Sequence, residues 1–285
     1  MDDQKRSRFN RRNFIRVTGM GAIGAFSYAR WVEPRLLTVT ERDIHIPRLP
    51  SALDGLRIAQ LTDFHYQPEH QDQLMADAVA TVNAANPDLI CLTGDFITQS
   101  PDALAPLMEH LSRLRSKHGI YGIMGNHDGW SASPSLFQNH FRKAGLEFLL
   151  NQGSRINIGG APLFIYGTDS IWSGRVHLPS CYGGHSPCDP VLALVHEPDV
   201  FDIIKRDHRV DLQLSGHTHG GQCRVPLLGY APVKVRYGRN YIYGDYQVGD
   251  SSIFVSRGLG TVGTTVRFAC APEVAILTLR SEEIS

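Results

Sequence analysis

The stretch LRIAQLTDFH, residues 56–65, holds in ten positions the pattern that decides the fold: an apolar run, Leu56 to Leu61, and then an abrupt polar ending at Thr62-Asp63-Phe64-His65. The run reads as a buried strand. Beyond it Leu74, Met75, Ala78, Val79, Val82 and Ala85 recur at helical spacing, and Asp88 to Thr93 forms a second apolar run. Strand, amphipathic helix and strand in that order make a crossover unit, which places the two strands parallel in one sheet.

The alternation continues downstream. Ser100-Pro101 supplies a cap and a first-turn proline for a helix carrying Leu104, Leu107, Met108, Leu111 and Leu114. Ser133-Pro134 opens a third helix, which ends near Gly145, and Glu197-Pro198 a fourth. Gly119 to Met124, Val191 to Val195 and Asp211 to Leu214 read as further strands between these helices. Glu147 to Leu150, Arg155 to Ile158, Leu163 to Tyr166, Asn240 to Tyr243, Ile253 to Ser256 and Val274 to Leu279 have strand character without intervening helices, and Gly159-Gly160 marks a hairpin. The fold class expected is α/β: two mixed β-sheets packed face to face and flanked by helices, in four layers.

The 285 residues, 42% hydrophobic, can bury a sizeable core. Lys plus Arg and Asp plus Glu are both 28. Six of the basic and two of the acidic residues fall in positions 1–29, so the body is mildly acidic and offers nucleic acid no attractive field. The basic opening precedes a short, glycine-rich apolar run, Val17 to Ala29, too weak for a membrane span. Residues 1–29 therefore read as a signal segment, with a loose cleavage signal at Ser27-Tyr28-Ala29. Residues 30–55 read as a linker and an edge strand, and 56–285 as the folded domain. Arg11-Arg12-Asn13-Phe14-Ile15-Arg16 resembles the twin-arginine export motif, which implies the twin-arginine machinery as a partner and an exported, periplasmic or membrane-associated protein. An uncleaved segment would allow association with a membrane surface.

Of the five cysteines at least one is unpaired, and none forms a C-x-x-C pair. Cys91 belongs to a core strand. Cys181 and Cys188 flank a loop and could pair in an oxidising compartment.

Five strand-like runs end in Asp, Asn or His: Asp63-Phe64-His65, Gly94-Asp95, Gly125-Asn126-His127-Asp128, His196 and Gly216-His217-Thr218-His219. Residues just past strand ends in an open α/β sheet gather at one crevice. Side chains two apart on an extended segment share a face, so Asp63 with His65 and His217 with His219 are expected to act as pincers. Gly94, Gly125 and Gly216 allow sharp turns and close approach. Carboxylate, imidazole and amide donors without thiolate suit divalent Mn, Fe, Zn or Co.

These blocks, in this order from Asp63 to His219, resemble those of the calcineurin-like metallophosphoesterases. Gly220-Gly221-Gln222, Ser256-Arg257-Gly258-Leu259-Gly260-Thr261 and Pro272-Glu273 look like the subgroup of exported bacterial phosphodiesterases and UDP-2,3-diacylglucosamine pyrophosphatase relatives. The resemblance implies two divalent metal ions. Asp63, His65, Asp95 and His219 would hold one, and Asn126, His196 and His217 the other, with Asp95 bridging. A hydroxide between the ions would attack the phosphorus in line. His127 would protonate the leaving oxygen or stabilise the transition state, with Asp128 orienting its ring.

The implied function is hydrolysis of a phosphodiester or pyrophosphate in a small-molecule or lipid-linked substrate. A UDP-sugar lipid is made inside the cell, which conflicts with export. A broad phosphomonoesterase and a metal-stabilised, non-catalytic binding scaffold are the alternatives, and an intact His127-Asp128 pair counts against the scaffold. The tyrosine-rich stretch Gln222 to Asp250, with Tyr230, Lys234, Arg236 and Arg239, could line the substrate entrance. Arg257 is a candidate for a phosphate contact or a salt bridge.

Overall fold

The computed structural model describes residues 11–225 and 231–281. Residues 1–10, which hold the first basic residues of the signal segment, and Tyr230 lie outside the described residues.

Among the described residues, twelve strands form two six-stranded sheets. The first joins β1 (Thr38–Ile46), β2 (Arg57–Leu61), β3 (Leu89–Leu92), β4 (Ile120–Gly122), β5 (Glu147–Phe148) and β12 (Glu273–Ser281) in the order β1-β12-β2-β3-β4-β5. The second joins β6 (Gln152–Ile158), β7 (Ala161–Gly167), β8 (Val191–Leu194), β9 (Leu212–Ser215), β10 (Gly244–Val248) and β11 (Ser251–Val255) in the order β10-β11-β9-β8-β7-β6. Strands β2, β3 and β4 run parallel, as do β8 and β9, so the crossover units read from the sequence are present. Gly159 and Gly160, at φ 60° and 89°, make the β6–β7 hairpin.

Alternation along the strands builds the layers. In β3, Leu89 and Cys91 enter the core between the sheets, while Ile90 and Leu92 face the outer helices. Helices α2 (Pro68–Ala85), α3 (Leu104–Leu111) and α5 (Pro134–Ala144) cover that outer face with Leu74, Met75, Val79, Leu107, Leu111 and Phe141. Helix α7 (Phe201–Asp207) covers the second sheet with Phe201 and Ile204. Two further helices are short: α4 (Asn126–Ser131), which opens with the third polar block, and α6 (Leu178–Cys181), which packs beside β6. The fold is thus the expected α/β arrangement of two mixed sheets flanked by helices.

Several expectations need correction. Asn240 to Tyr243 is not a strand; the strand begins at Gly244. Side chains claim its backbone instead: Tyr246 Oη accepts from the Ile242 and Tyr243 amides, and Thr218 Oγ1 donates to the Ile242 carbonyl at 2.5 Å. Cys181 and Cys188 are both free. Cys181 is buried, with its thiol against the Gly167 and His177 carbonyls, and Cys188 is exposed.

The N-terminal part contains helix α1 (Arg11–Ser27), none of whose residues is buried. No helix among the described residues is long and apolar enough to cross a membrane. The chain then docks. Ala29 is buried and its carbonyl accepts from the Arg267 amide at 3.0 Å. The Glu33 carboxylate is buried against the amides of Ala269 and Cys270, at 3.1 and 2.5 Å. The region read as linker and edge strand thus holds a packed turn before β1, which forms the sheet edge beside β12.

Candidate metal centre

All five polar blocks follow the C-terminal ends of parallel strands: three after β2, β3 and β4 of one sheet, two after β8 and β9 of the other. Buried Gln60 spans the two sheets there, its amide donating to Thr93 Oγ1 at 2.8 Å and to the Ser215 carbonyl at 2.9 Å. The crevice between the strand ends is therefore held at fixed width.

The blocks are not extended, as the pincer argument required. Asp63, His65, Asp95, His217 and His219 have φ of 50°, 41°, 55°, 69° and 52°, in the left-handed region that non-glycine residues rarely adopt. Each such residue costs on the order of 1–3 kcal/mol and persists because its surroundings impose it. His217 and His219 consequently part company. His219 Nε2 stands 3.0 Å from His65 Nε2 and 3.3 Å from Asp63 Oδ1, while His217 Nδ1 stands 2.8 Å from Asn126 Oδ1.

Asp95 sits between the two sets, its Oδ2 3.4 Å from His65 Nε2 and 3.2 Å from His196 Nε2. Its Oδ1 accepts from the His127 amide at 2.8 Å. Asp63, His65 and His219 form one group of converging donor atoms, Asp63, Asp95 and His196 another, and His65, Asp95 and His127 a third, each within 4.8 Å. Glycines make room for this. Gly94 turns at φ +91°, and a Cβ at Gly216 would lie 2.2 Å from Asp63 Oδ2.

Hydrogen bonding to carbonyls fixes which nitrogen donates in two of the imidazoles. His196 Nδ1 is 2.7 Å from the Thr93 carbonyl, which can only accept, so Nδ1 carries a proton and Nε2 is the nitrogen left facing Asp95. His217 Nε2 is 3.0 Å from the Lys234 carbonyl and must likewise donate, so Nδ1 turns its lone pair beside Asn126. His65 Nδ1 meets Thr98 Oγ1 at 3.0 Å, leaving Nε2 facing His219. Imidazole nitrogens that face one another and carboxylates in a buried crevice make a cradle for positive charge.

The electrostatics agree. Burial pushes His196 down, yet Asp95 wins and holds it well above the usual imidazole range, so a proton is drawn to where a cation would sit. Burial pushes Asp95 up, but His196 and His65 hold it well below the carboxylate range. Burial, with His196 nearby, pushes His217 down to about 4, and burial with His65 pushes His219 well down. His217 and His219 are thus neutral and Asp95 ionised, the forms in which such groups bind metal. The residues present fit divalent metal ions.

The structure moves three predicted roles. Asp128 does not hold the His127 ring; its buried carboxylate accepts from the Gly125 amide at 2.9 Å and the Ile97 amide at 3.1 Å, closing the turn that starts α4. The His127 ring lies instead between His65 and Trp130, with centroids at 4.8 and 5.0 Å. Arg257 forms the salt bridge rather than a phosphate contact: its Nε donates to buried Glu273 at 2.7 Å, and Nη2 lies 3.1 Å from Thr38 Oγ1. Arg236 and Arg239 spend guanidinium donors on the Ile171 and Val233 carbonyls. Neither lines the cavity of about 490 Å³ that opens beside Asp95, Asn126, His127, His217 and His219; Lys234 does.

Sequence reading missed Trp130 and Trp172, which line that cavity, and Arg267, which has no exposed surface. Trp130 follows His127 at helical spacing, a signal that was available. For Arg267 there was none. Its guanidinium donates to the carbonyls of Arg257, Gly258, Gly260 and Cys270 at 2.6–3.1 Å. The loop so gathered sends the Leu259 and Gly260 amides to the carbonyls of Thr62 and Asp63, at 3.0 and 2.6 Å, and the Cys270 thiol to the His219 carbonyl at 3.0 Å.

Comparison with known proteins agrees with this geometry. Residues 56–221 match the model of the calcineurin-like phosphoesterase family. Similar curated proteins include the uncharacterized metallophosphoesterase YkuE of Bacillus subtilis, 32% identical over 96% of this chain and 99% of its own. Another is phosphodiesterase YaeI of Escherichia coli, 30% identical over 95% and 99%. Among solved structures, a dimetal phosphatase from Danio rerio matches 72% of this chain and 88% of its own at 13% identity, with a TM-score of 0.47. The chain belongs to the calcineurin-like phosphoesterases and is a metal-dependent hydrolase of phosphoesters.

Proposed function

We propose that the protein cleaves phosphodiesters with two divalent ions, one held by Asp63, His65, Asp95 and His219 and the other by Asp95, Asn126, His196 and His217. The observation that carries this reading is Asp95, whose single oxygen Oδ2 faces His65 on one side and His196 on the other. The ions, when bound, supply Lewis-acid charge for the phosphate oxygens and lower the pKa of water. The chain supplies the rest. Strained, interlocked ligand loops fix the donors before substrate arrives.

His127 donates a proton to the departing oxygen. Its ring borders the cavity and lies beside His65, and burial pushes it down from the usual imidazole value, which makes it a readier donor once charged. The phosphodiesterase name borne by the YaeI relative supports the diester class. Export by the twin-arginine route accords with a protein whose metals are bound as it folds, and the paired Arg11 and Arg12 stand at the start of α1, none of whose residues is buried.

The test compares His127→Ala with the parent, both loaded with Mn²⁺, on bis-p-nitrophenyl phosphate and on diesters with poorer leaving alcohols. The expected loss is roughly 10²–10⁴-fold where the leaving oxygen needs a proton, and small where p-nitrophenolate departs unaided. Equal losses on all substrates would remove the proton-donor role. Faster turnover of p-nitrophenyl phosphate than of its diester would favour the monoesterase alternative.

A further inference from the structure

The cavity beside the metal centre carries a second piece of chemistry. Away from the donors its wall is mainly apolar, with Trp130, Trp172, Pro232, Val233 and Val262 beside the polar Gln222, and Lys234 is the one Lys or Arg lining it among the described residues. Trp130 stands three residues after His127 on α4, on the same helical face, with ring centroids 5.0 Å apart. Trp172 packs on His217, with centroids 5.3 Å apart, and the two indoles meet at 6.3 Å with planes inclined by 63°. Each imidazole thus has an indole as its outward neighbour.

The corner is built rather than incidental. A Cβ at Gly129 would fall 2.2 Å from Ser173 Oγ, so α4 and the loop holding Trp172 touch as closely as backbone permits. That loop is held from behind. Ser170 Oγ donates to buried Glu197 at 2.5 Å and accepts from the amides of Trp172 and Ser173 at 3.1 and 3.3 Å. Trp130 nevertheless keeps 55% of its surface exposed, a large apolar area left uncovered on a rigid support.

We infer that this corner is the subsite for an apolar substituent of the substrate, so that the enzyme prefers phosphodiesters carrying an aromatic or short alkyl group on the His127 side. This rests on the phosphodiester reading above. One lysine offers too little positive charge for a second phosphate with its full complement of oxygens. Two inclined indoles offer a face and an edge to a ring, and hydrophobic area to a chain. Since Trp130 adjoins the proposed proton donor, the substituent it covers is the one that leaves.

The experiment titrates the metal-loaded full chain with dimethyl, dibutyl and diphenyl phosphate, following tryptophan fluorescence and bound-metal content. Diphenyl phosphate is expected to bind about tenfold more tightly than dimethyl phosphate, the return expected from burying one ring, and to quench the indole emission. Dibutyl phosphate equal to diphenyl would show that the corner takes chains and rings alike, and dibutyl equal to dimethyl would assign it to rings. Trp130→Ala, an exposed position whose loss leaves the core untouched, should reduce the preference to threefold or less with metal content unchanged. Equal affinity for all three ligands, or a preference that survives in Trp130→Ala, overturns the inference. Preferential binding without turnover of any diester would keep the subsite and discard the diesterase reading, whereas turnover without preference would do the reverse.

Discussion

At the residue scale, the donor set was legible and its geometry was not. Asp63, His65, Asp95, His196 and His219 could be singled out because each stands where an apolar run stops. Their left-handed backbone could not, because Asp and His tolerate that region but mostly lie outside it, and nothing in the sequence says which of them enters it. The pincer reasoning took alternate residues as sharing a face and so paired His217 with His219, whereas kinked backbone sends them to different partners. Asp128 shows the same limit: adjacency to His127 suggested a partnership, but helical geometry turns the carboxylate inward to two amides. Asp128→Asn should therefore cost about 2 kcal/mol of stability, since an amide nitrogen would face a backbone donor. Urea denaturation of the variant would check this; unchanged stability together with a shifted pH profile of kcat would restore the orienting role.

At the element scale, the crossover units were readable because buried strands and amphipathic helices differ in period. The loop from Arg257 to Cys270 was not, because a guanidinium gathering carbonyls leaves no repeating trace in sequence. Yet that loop braces the backbone of Thr62 and Asp63 and, through Cys270, that of His219. Arg267→Met should lower stability by about 4 kcal/mol, as several buried carbonyls lose a charged donor together. Arg267→Lys should recover only part, having one nitrogen where the guanidinium has three. If the brace sets ligand geometry, Mn²⁺ affinity measured by calorimetry on folded Arg267→Lys will fall as well. A variant that binds metal as tightly as the parent would confine Arg267 to a packing role. The misplaced strand at Asn240 to Tyr243 has the same origin: Tyr246 and Thr218 meet its backbone, and no periodicity shows that.

At the scale of the whole molecule, two sheets present five strand ends to one crevice, and residues from the first docked turn to the last strand take part in holding it. Glu33 reaches the loop whose Cys270 meets His219, so the N-terminal turn is two contacts from a ligand. A chain beginning at Leu36 should accordingly lose about 3 kcal/mol, from two charge-assisted bonds, the Ala29 bond and the packing of Pro34. Its denaturation midpoint should fall below that of a chain beginning at Arg30, which retains Glu33. Equal midpoints would show the turn to be energetically idle.

The burial of Ala29 also governs when a leader could be trimmed. With its carbonyl engaged by Arg267, the bond after Ala29 lies in docked backbone, and a peptidase needs several residues drawn out straight to bind them. Maturation at that bond would require the turn to peel away first. The folded protein is thus expected to resist cleavage after Ala29 and to yield to it only on local unfolding.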